Sequence, residues 1–274
     1  MSRPPASRWQ ALGMAPRAVL LDLDGVLYVE GEAITGAGPA VARLRDMGIA
    51  LRFVTNTTSR SRAATLEGLA ALGFDVGEDE LLTPVVLARR LCLERGHRRV
   101  ALLVAEGTEE DFADLEAVQD EGPADAVIVG DLGDAWTYAA LNRAFRLVMD
   151  GAELIALQKN RFWLRRDGLS LDAGPFVAAL EYATDREAVV VGKPSPAFFA
   201  QALGDLGVEP ADAVMVGDDV ESDIGGALGA GLAAVLVRTG KYREDVVRES
   251  GVTPTATVDS IADVPALVTD GGDR

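Results

Sequence analysis

The sequence predicts an α/β fold: a parallel β-sheet built from strand–helix units and interrupted by a second, inserted α/β domain. Three observations carry this prediction. Short, wholly apolar runs alternate with helix-period segments from residue 18 onward. The same alternation returns near the end of the chain. A middle stretch with strands and helices of its own separates the two blocks. At 274 residues the chain also suits roughly two domains of about 150 residues each.

Residues 1–16, with Pro4, Pro5 and Pro16, read as a flexible leader. Ala18-Val19-Leu20-Leu21 then forms an apolar run ending in Asp22, the pattern of a strand buried on both faces. Val41, Leu44 and Met47 follow at near-helical spacing among Arg43, Arg45 and Asp46, with Gly48 placed to end the helix. Leu51-Arg52-Phe53-Val54 is a second strand and opens into Thr55-Asn56-Thr57-Thr58-Ser59. Leu66, Leu69 and Ala70 mark a second helix, closed by Gly73.

Residues 83–186 carry strands at 100–104, 126–129 and 154–157 and helices around 84–95, 137–149 and 175–183. They are read as the inserted domain. Its acidic run, Glu109 to Glu116, suits a solvated face. The first alternation resumes with the strand Ala188-Val189-Val190-Val191 and a helix lined by Phe198, Phe199, Ala202, Leu203 and Leu206. Ala213-Val214-Met215-Val216, a glycine-rich helix and Ala233 to Val237 complete it. The expected domains are therefore 17–82 with 187–274, and 83–186.

Composition narrows the chemistry. Lys plus Arg is 26 and Asp plus Glu is 43, a formal charge of −17. Such a chain is repelled by phosphate backbones and anionic lipid, which argues against nucleic-acid and membrane-surface partners. Hydrophobic residues make up 49% of it, too many for a disordered protein. There is one cysteine, Cys92, and one histidine, His97, so an intrachain disulfide, a Cys/His zinc site and any two-histidine mechanism are excluded. No signal-type apolar region precedes the first strand, and a soluble, cytoplasmic protein is expected. The chemistry falls to carboxylates, hydroxyls, amines and a hard metal.

Four clusters supply those groups. Asp22-Leu23-Asp24-Gly25 puts two carboxylates on one side of the chain as it leaves a strand. Side by side they repel unless a cation compensates, and a hard divalent ion is the natural companion. The plainer reading is two acids capping a loop. Thr55-Asn56 offers neutral donors for an oxyanion, though such residues also make ordinary turns. Lys193 is one of only three lysines among the 26 basic residues. In a chain that prefers arginine, a retained lysine suggests a need for a compact ammonium. A surface lysine ahead of a helix explains it equally well. Gly217-Asp218-Asp219 with Asp223 suits a Mg²⁺ site with direct and supporting carboxylates. A helix dipole would account for one or two of these acids more easily than for all. All four clusters lie at or just beyond the carboxyl ends of predicted parallel strands, where open α/β sheets bind ligands.

As a set, these motifs resemble the haloacid dehalogenase superfamily of Mg²⁺-dependent phosphatases. The insertion resembles the C2 cap of its NagD-like branch, set into a Rossmann-like core. Phe53 to Thr58, Ala179 to Ala183 and Thr239-Gly240-Lys241-Tyr242-Arg243 are similar to the group of phospholysine phosphohistidine inorganic pyrophosphate phosphatases and haloacid dehalogenase-like hydrolase domain-containing proteins 2. That group carries Ser where this chain has Asp24, so its substrate preferences are not carried over. The resemblance implies that Asp22 is a nucleophile forming an aspartyl-phosphate and that Asp24 is the acid and base. Mg²⁺ is then held by Asp22, the Asp24 carbonyl and Asp218, with Asp219 and Asp223 in support. Thr55, Asn56 and Lys193 bind the phosphoryl oxygens. A small phosphorylated substrate is implied, and a homodimer is left open. Substrate choice is expected from the inserted domain, at Lys159, Asn160 and Arg161 beside Phe162 and Trp163. Packing of those aromatics in the domain core is the rival reading. A non-catalytic phospho-aspartate switch or a phospho-ligand-binding protein stays open as the alternative function.

Overall fold

A computed structural model describes residues 15–119, 122–165 and 168–269, so nearly all of the expected leader lies outside the described residues. The chain divides into two compact units. One holds residues up to Thr55, Leu66–Leu82 and Lys193 onward; the other holds Asn56–Thr65 and Thr83–Gly192.

The first unit is built on a six-stranded sheet in the order Ala256–Val258, Ala233–Val237, Ala213–Gly217, Ala18–Asp22, Ala50–Val54, Leu81–Leu82. Every pairing in it is parallel. Ala18–Asp22 sits at the centre, and all five of its residues are buried. That is why the run carries no polar alternation before Asp22. Burial of Val19, Leu20 and Leu21 stabilises the sheet by about 1.5–3 kcal/mol each. Leu21 stands level with Val216 on one side and Phe53 on the other. The register therefore brings Asp22, Thr55 and Asp218 to the same end of three adjacent strands. This is also where strand order reverses, with Ala18–Asp22 flanked by one strand that follows it closely and one from far along the chain.

The second unit carries a five-stranded parallel sheet in the order Val189–Val190, Glu153–Ala156, Ala126–Val129, Arg99–Leu103, Glu116–Ala117. Val189–Val190 corrects an expectation. The sequence placed the run 188–191 in the first domain, but it pairs with Glu153–Ala156, and Val191 N–H donates to the Ala156 carbonyl at 3.0 Å. An apolar run suits the edge of either sheet, so composition alone does not choose between them. A separate antiparallel hairpin, Phe162–Arg165 with Gly168–Leu171, follows the Glu153–Ala156 strand. The acidic run is only partly a solvated face: Asp111 accepts from Arg62 N–H, and Asp114 pairs with Arg89 at 2.6 Å. Cys92 is buried in the helix Pro84–Glu94, and burial pushes its thiol up to about 11. His97 bonds Glu153 at 2.7 Å. Among the described residues, no helix is long and apolar enough to cross a membrane.

Candidate active site

Asp22, the last residue of the central strand, is buried. The chain beyond it turns sharply: Leu23 O accepts from Leu27 N–H at 2.8 Å, and Gly25 N–H donates to the Tyr28 carbonyl at 2.8 Å. Gly25 takes a left-handed φ of 83°, and a Cβ there would overlap the Asp218 carboxylate. The glycine of the Asp-x-Asp-Gly motif thus lets backbone lie directly against an acid from another strand. Asp24, within the same turn, is exposed.

Lys193 reaches this point from 171 residues away. Its Nζ donates to Asp22 Oδ1 at 2.5 Å and to Asp223 Oδ1 at 2.7 Å. The ammonium is buried, as are both carboxylates. Burial disfavours its charge, but Asp22 and Asp223 overcome this and hold its pKa well above the ordinary lysine value. The surface reading of Lys193 does not survive.

One ammonium does not balance the acids around it. Carboxylate oxygens of Asp22, Asp218 and Asp223 all lie within 4.8 Å of one another. Burial, then the charges of Asp22 and Asp223, push Asp218 up to about 8. Burial raises Asp223 to about 7 against the pull of Lys193, and it raises Asp22 as well. Buried hard-oxygen donors whose crowding disfavours their negative charge are what a hard divalent cation would satisfy. Asp24 and Asp219 are not part of this group.

The other expected residues separate by role. Asp219 accepts from Glu221 N–H at 3.1 Å and Ser222 N–H at 3.0 Å, capping the π-helical turn Val220–Gly225. For this acid the helix-terminus reading holds. Asp223 lies one turn on, and its Oδ2 accepts from Asp219 N–H at 3.2 Å. Thr55 is buried beyond Val54, the neighbour of Asp22 in register. Asn56 belongs to the second unit, as do Lys159, Asn160 and Arg161.

In that unit, Lys159 pairs with Glu181 at 2.6 Å, and Asn160 N–H donates to Gln158 Oε1 at 2.5 Å. Arg161 is exposed with its guanidinium 6.0 Å from the Phe162 ring centre. Phe162 is itself 54% exposed, so it does not pack the domain core.

Sequence reasoning missed a fifth element at the first site. Thr239 Oγ1 donates to the Gly25 carbonyl, and Lys241 N–H donates to Asp218 Oδ2 at 2.7 Å. A signal was available, since Lys241 is another of the three lysines.

Comparison with known proteins agrees along the chain. The haloacid dehalogenase-like hydrolase family profile matches residues 19–117, and a HAD-hydrolase-like profile matches 190–264. Human haloacid dehalogenase-like hydrolase domain-containing protein 2 is 47% identical over 246 residues, 90% of this chain and 93% of its own. Phospholysine phosphohistidine inorganic pyrophosphate phosphatase from Xenopus laevis is 44% identical over 253 residues, 90% of this chain and 92% of its own. The solved p-nitrophenyl phosphatase from Archaeoglobus fulgidus matches with a TM-score of 0.87 at 30% identity, over 92% of this chain and 99% of that one. NagD from E. coli K-12 matches at 0.81 and 25% identity, over 91% of this chain and 98% of that one.

Proposed function

The chain belongs to the haloacid dehalogenase-like hydrolases, and from that premise we propose that it is a Mg²⁺-dependent phosphatase. It hydrolyses a small phosphorylated metabolite through an aspartyl-phosphate on Asp22. The observation that carries this reading is the buried Asp22 carboxylate held by Lys193 at 2.5 Å beside Asp218 and Asp223. A nucleophile, a fixed cation and a hard-oxygen cluster in one place are the parts that phosphoryl transfer needs.

Asp22 attacks phosphorus through a carboxylate oxygen as the bond to the leaving oxygen breaks, and Asp24 protonates that oxygen. Asp24, now a carboxylate, takes a proton from water, which attacks the phosphoryl group and frees Asp22 and inorganic phosphate. Its exposure suits a residue that must meet both leaving group and water. Lys193 and Thr55 hold phosphoryl oxygens from the first unit, and Asn56 adds an amide donor. Asp22, the Asp24 carbonyl and Asp218 would hold Mg²⁺, with Asp223 and Asp219 in support, and the ion supplies positive charge to the phosphoryl oxygens when bound.

Steady hydrolysis of p-nitrophenyl phosphate by purified protein with Mg²⁺ is the test. A single phosphorylation without turnover points instead to a switch, and binding without either points to a phospho-ligand scaffold. Chelation of the metal is expected to abolish turnover and re-addition to restore it. Asp218→Ala should weaken Mg²⁺ affinity at least about tenfold, read by calorimetric titration. Wild-type rates in metal-free protein would show that the carboxylate cluster has been misread.

The second unit is proposed to choose the substrate, because Asp22, Lys193 and Asp218 deal only with the phosphoryl group. Arg161 offers an exposed guanidinium beside an exposed aromatic ring, a combination suited to an anionic or planar leaving group. Arg161→Ala is expected to lower kcat/KM on the best natural substrate about tenfold, the worth of one charged hydrogen bond. Its effect on p-nitrophenyl phosphate should be small. Lys159→Ala should act in the same sense but less, since Glu181 already engages that ammonium. Equal losses on both substrates, or none on either, remove the segment from substrate choice. A screen of phosphorylated metabolites, phosphoamino acids and pyrophosphate identifies the natural substrate.

A further inference from the structure

The turn after the strand Ala233–Val237 touches the candidate site at three points, all within the first unit. Thr239 Oγ1 donates to the carbonyl of Gly25, in the turn that carries Asp24. Lys241 N–H donates to Asp218 Oδ2 at 2.7 Å. Lys241 Nζ lies 3.5 Å from Asp219 Oδ2. One tripeptide thus ties the loop after the nucleophile to both members of the Asp218-Asp219 pair.

Gly240 makes this possible. Its φ is 62°, and a Cβ there would overlap both the Asp218 carboxylate and the Gly25 Cα. Two glycines, Gly25 and Gly240, therefore clasp Asp218 between two stretches of backbone. Such a clasp limits the rotamers of the acid and fixes the height of the Asp22–Gly25 turn.

Lys241 adds charge as well as geometry. Its side chain is 63% exposed, against 3% for Lys193. Lys193 is locked between two acids, whereas Lys241 overlooks the cluster from its rim. A fixed cation beside a site that binds both a divalent metal and a phosphoryl anion acts on them with opposite sign. It repels the first and attracts the second.

We propose that Thr239-Gly240-Lys241 is a positioning element of the active site, in which Thr239 and Gly240 hold the Gly25 turn against Asp218 and the Lys241 ammonium sets the ratio of phosphate to metal affinity. The inference rests on the phosphatase reading above and adds residues that its motif set does not contain.

Calorimetric titration of the full-length protein tests it, first with Mg²⁺ alone and then with inorganic phosphate at saturating Mg²⁺. Lys241→Met is expected to tighten Mg²⁺ binding and weaken phosphate binding, each by about three- to tenfold for a charge several ångströms away in partly aqueous surroundings. Lys241→Arg should restore both affinities toward wild type, which a purely steric role would not require. Changes in the same direction for both ligands, or none in either, overturn the charge role. Thr239→Val should lower kcat on p-nitrophenyl phosphate while leaving KM and the melting temperature near wild type. An unchanged kcat overturns the positioning role. Wild-type protein that binds neither ligand overturns the phosphatase reading, and this inference falls with it.

Discussion

Asp22→Asn is expected to abolish turnover while leaving the protein folded. The amide has nearly the volume of the carboxylate, and its oxygen can still accept from Lys193 where Asp22 Oδ1 does now. What it lacks is the anionic lone pair that the proposed mechanism directs at phosphorus. The loss in kcat should be about 10⁴-fold or more, the scale seen when an enzyme loses its nucleophile. Stability should not fall with it. The substitution takes one negative charge from a cluster in which burial and neighbouring acids already push Asp218 and Asp223 upward. The check is a pair of measurements on one preparation: turnover of p-nitrophenyl phosphate, and the urea midpoint in chelator. Acid-quenched wild-type protein should carry covalent phosphate, and the variant should carry none. Substantial turnover by clean Asp22→Asn protein would sink the covalent mechanism.

Lys193→Met should do the opposite to stability. Lys193 is 3% exposed and bonds two buried carboxylates at once. Removing it strands Asp22 and Asp223 without a counter-charge, and breaking a buried ion pair from one side costs about 3–5 kcal/mol. In metal-free protein the urea midpoint should drop accordingly, and turnover should vanish. The contrast between the two variants is diagnostic, since they change the local charge in opposite directions, one removing a carboxylate's charge and the other the ammonium that faces it. An unperturbed midpoint in Lys193→Met would mean that the buried trio does not exist in solution.

These two residues also mark how far the sequence can be read. Asp22 and Asp218 were legible because each ends an apolar run, and a run without polar alternation has few homes other than the middle of a parallel sheet. Lys193 was legible only by its rarity, and its partners were not, because nothing local connects residues 171 apart. Asp219 looked like its neighbours but spends its side chain on capping the π-helical turn. The place of Thr239-Gly240-Lys241 at the site is not legible, because two of its contacts run through a main-chain carbonyl or N–H, which residue identity does not advertise. Val189–Val190 reads as a strand from its apolar composition, which does not say that its partner is Glu153–Ala156. Edge strands of two parallel sheets have the same composition, and pairing is decided by distant geometry.

The central place of Ala18–Asp22 bears on how the chain is made. Its neighbour on one side, Ala50–Val54, is synthesised soon after it, but its neighbour on the other, Ala213–Gly217, comes near the end. The counter-ion of Asp22 arrives 171 residues later. At translation rates of about 5–20 residues per second, the growing polypeptide spends roughly 10–40 seconds with this strand's second edge unpaired, and nearly as long with its acid uncompensated. An open, apolar edge is the feature most prone to pairing with a stray chain. The same arrangement that gathers distant side chains into one site therefore leaves the central strand half-paired until Ala213–Gly217 has been made.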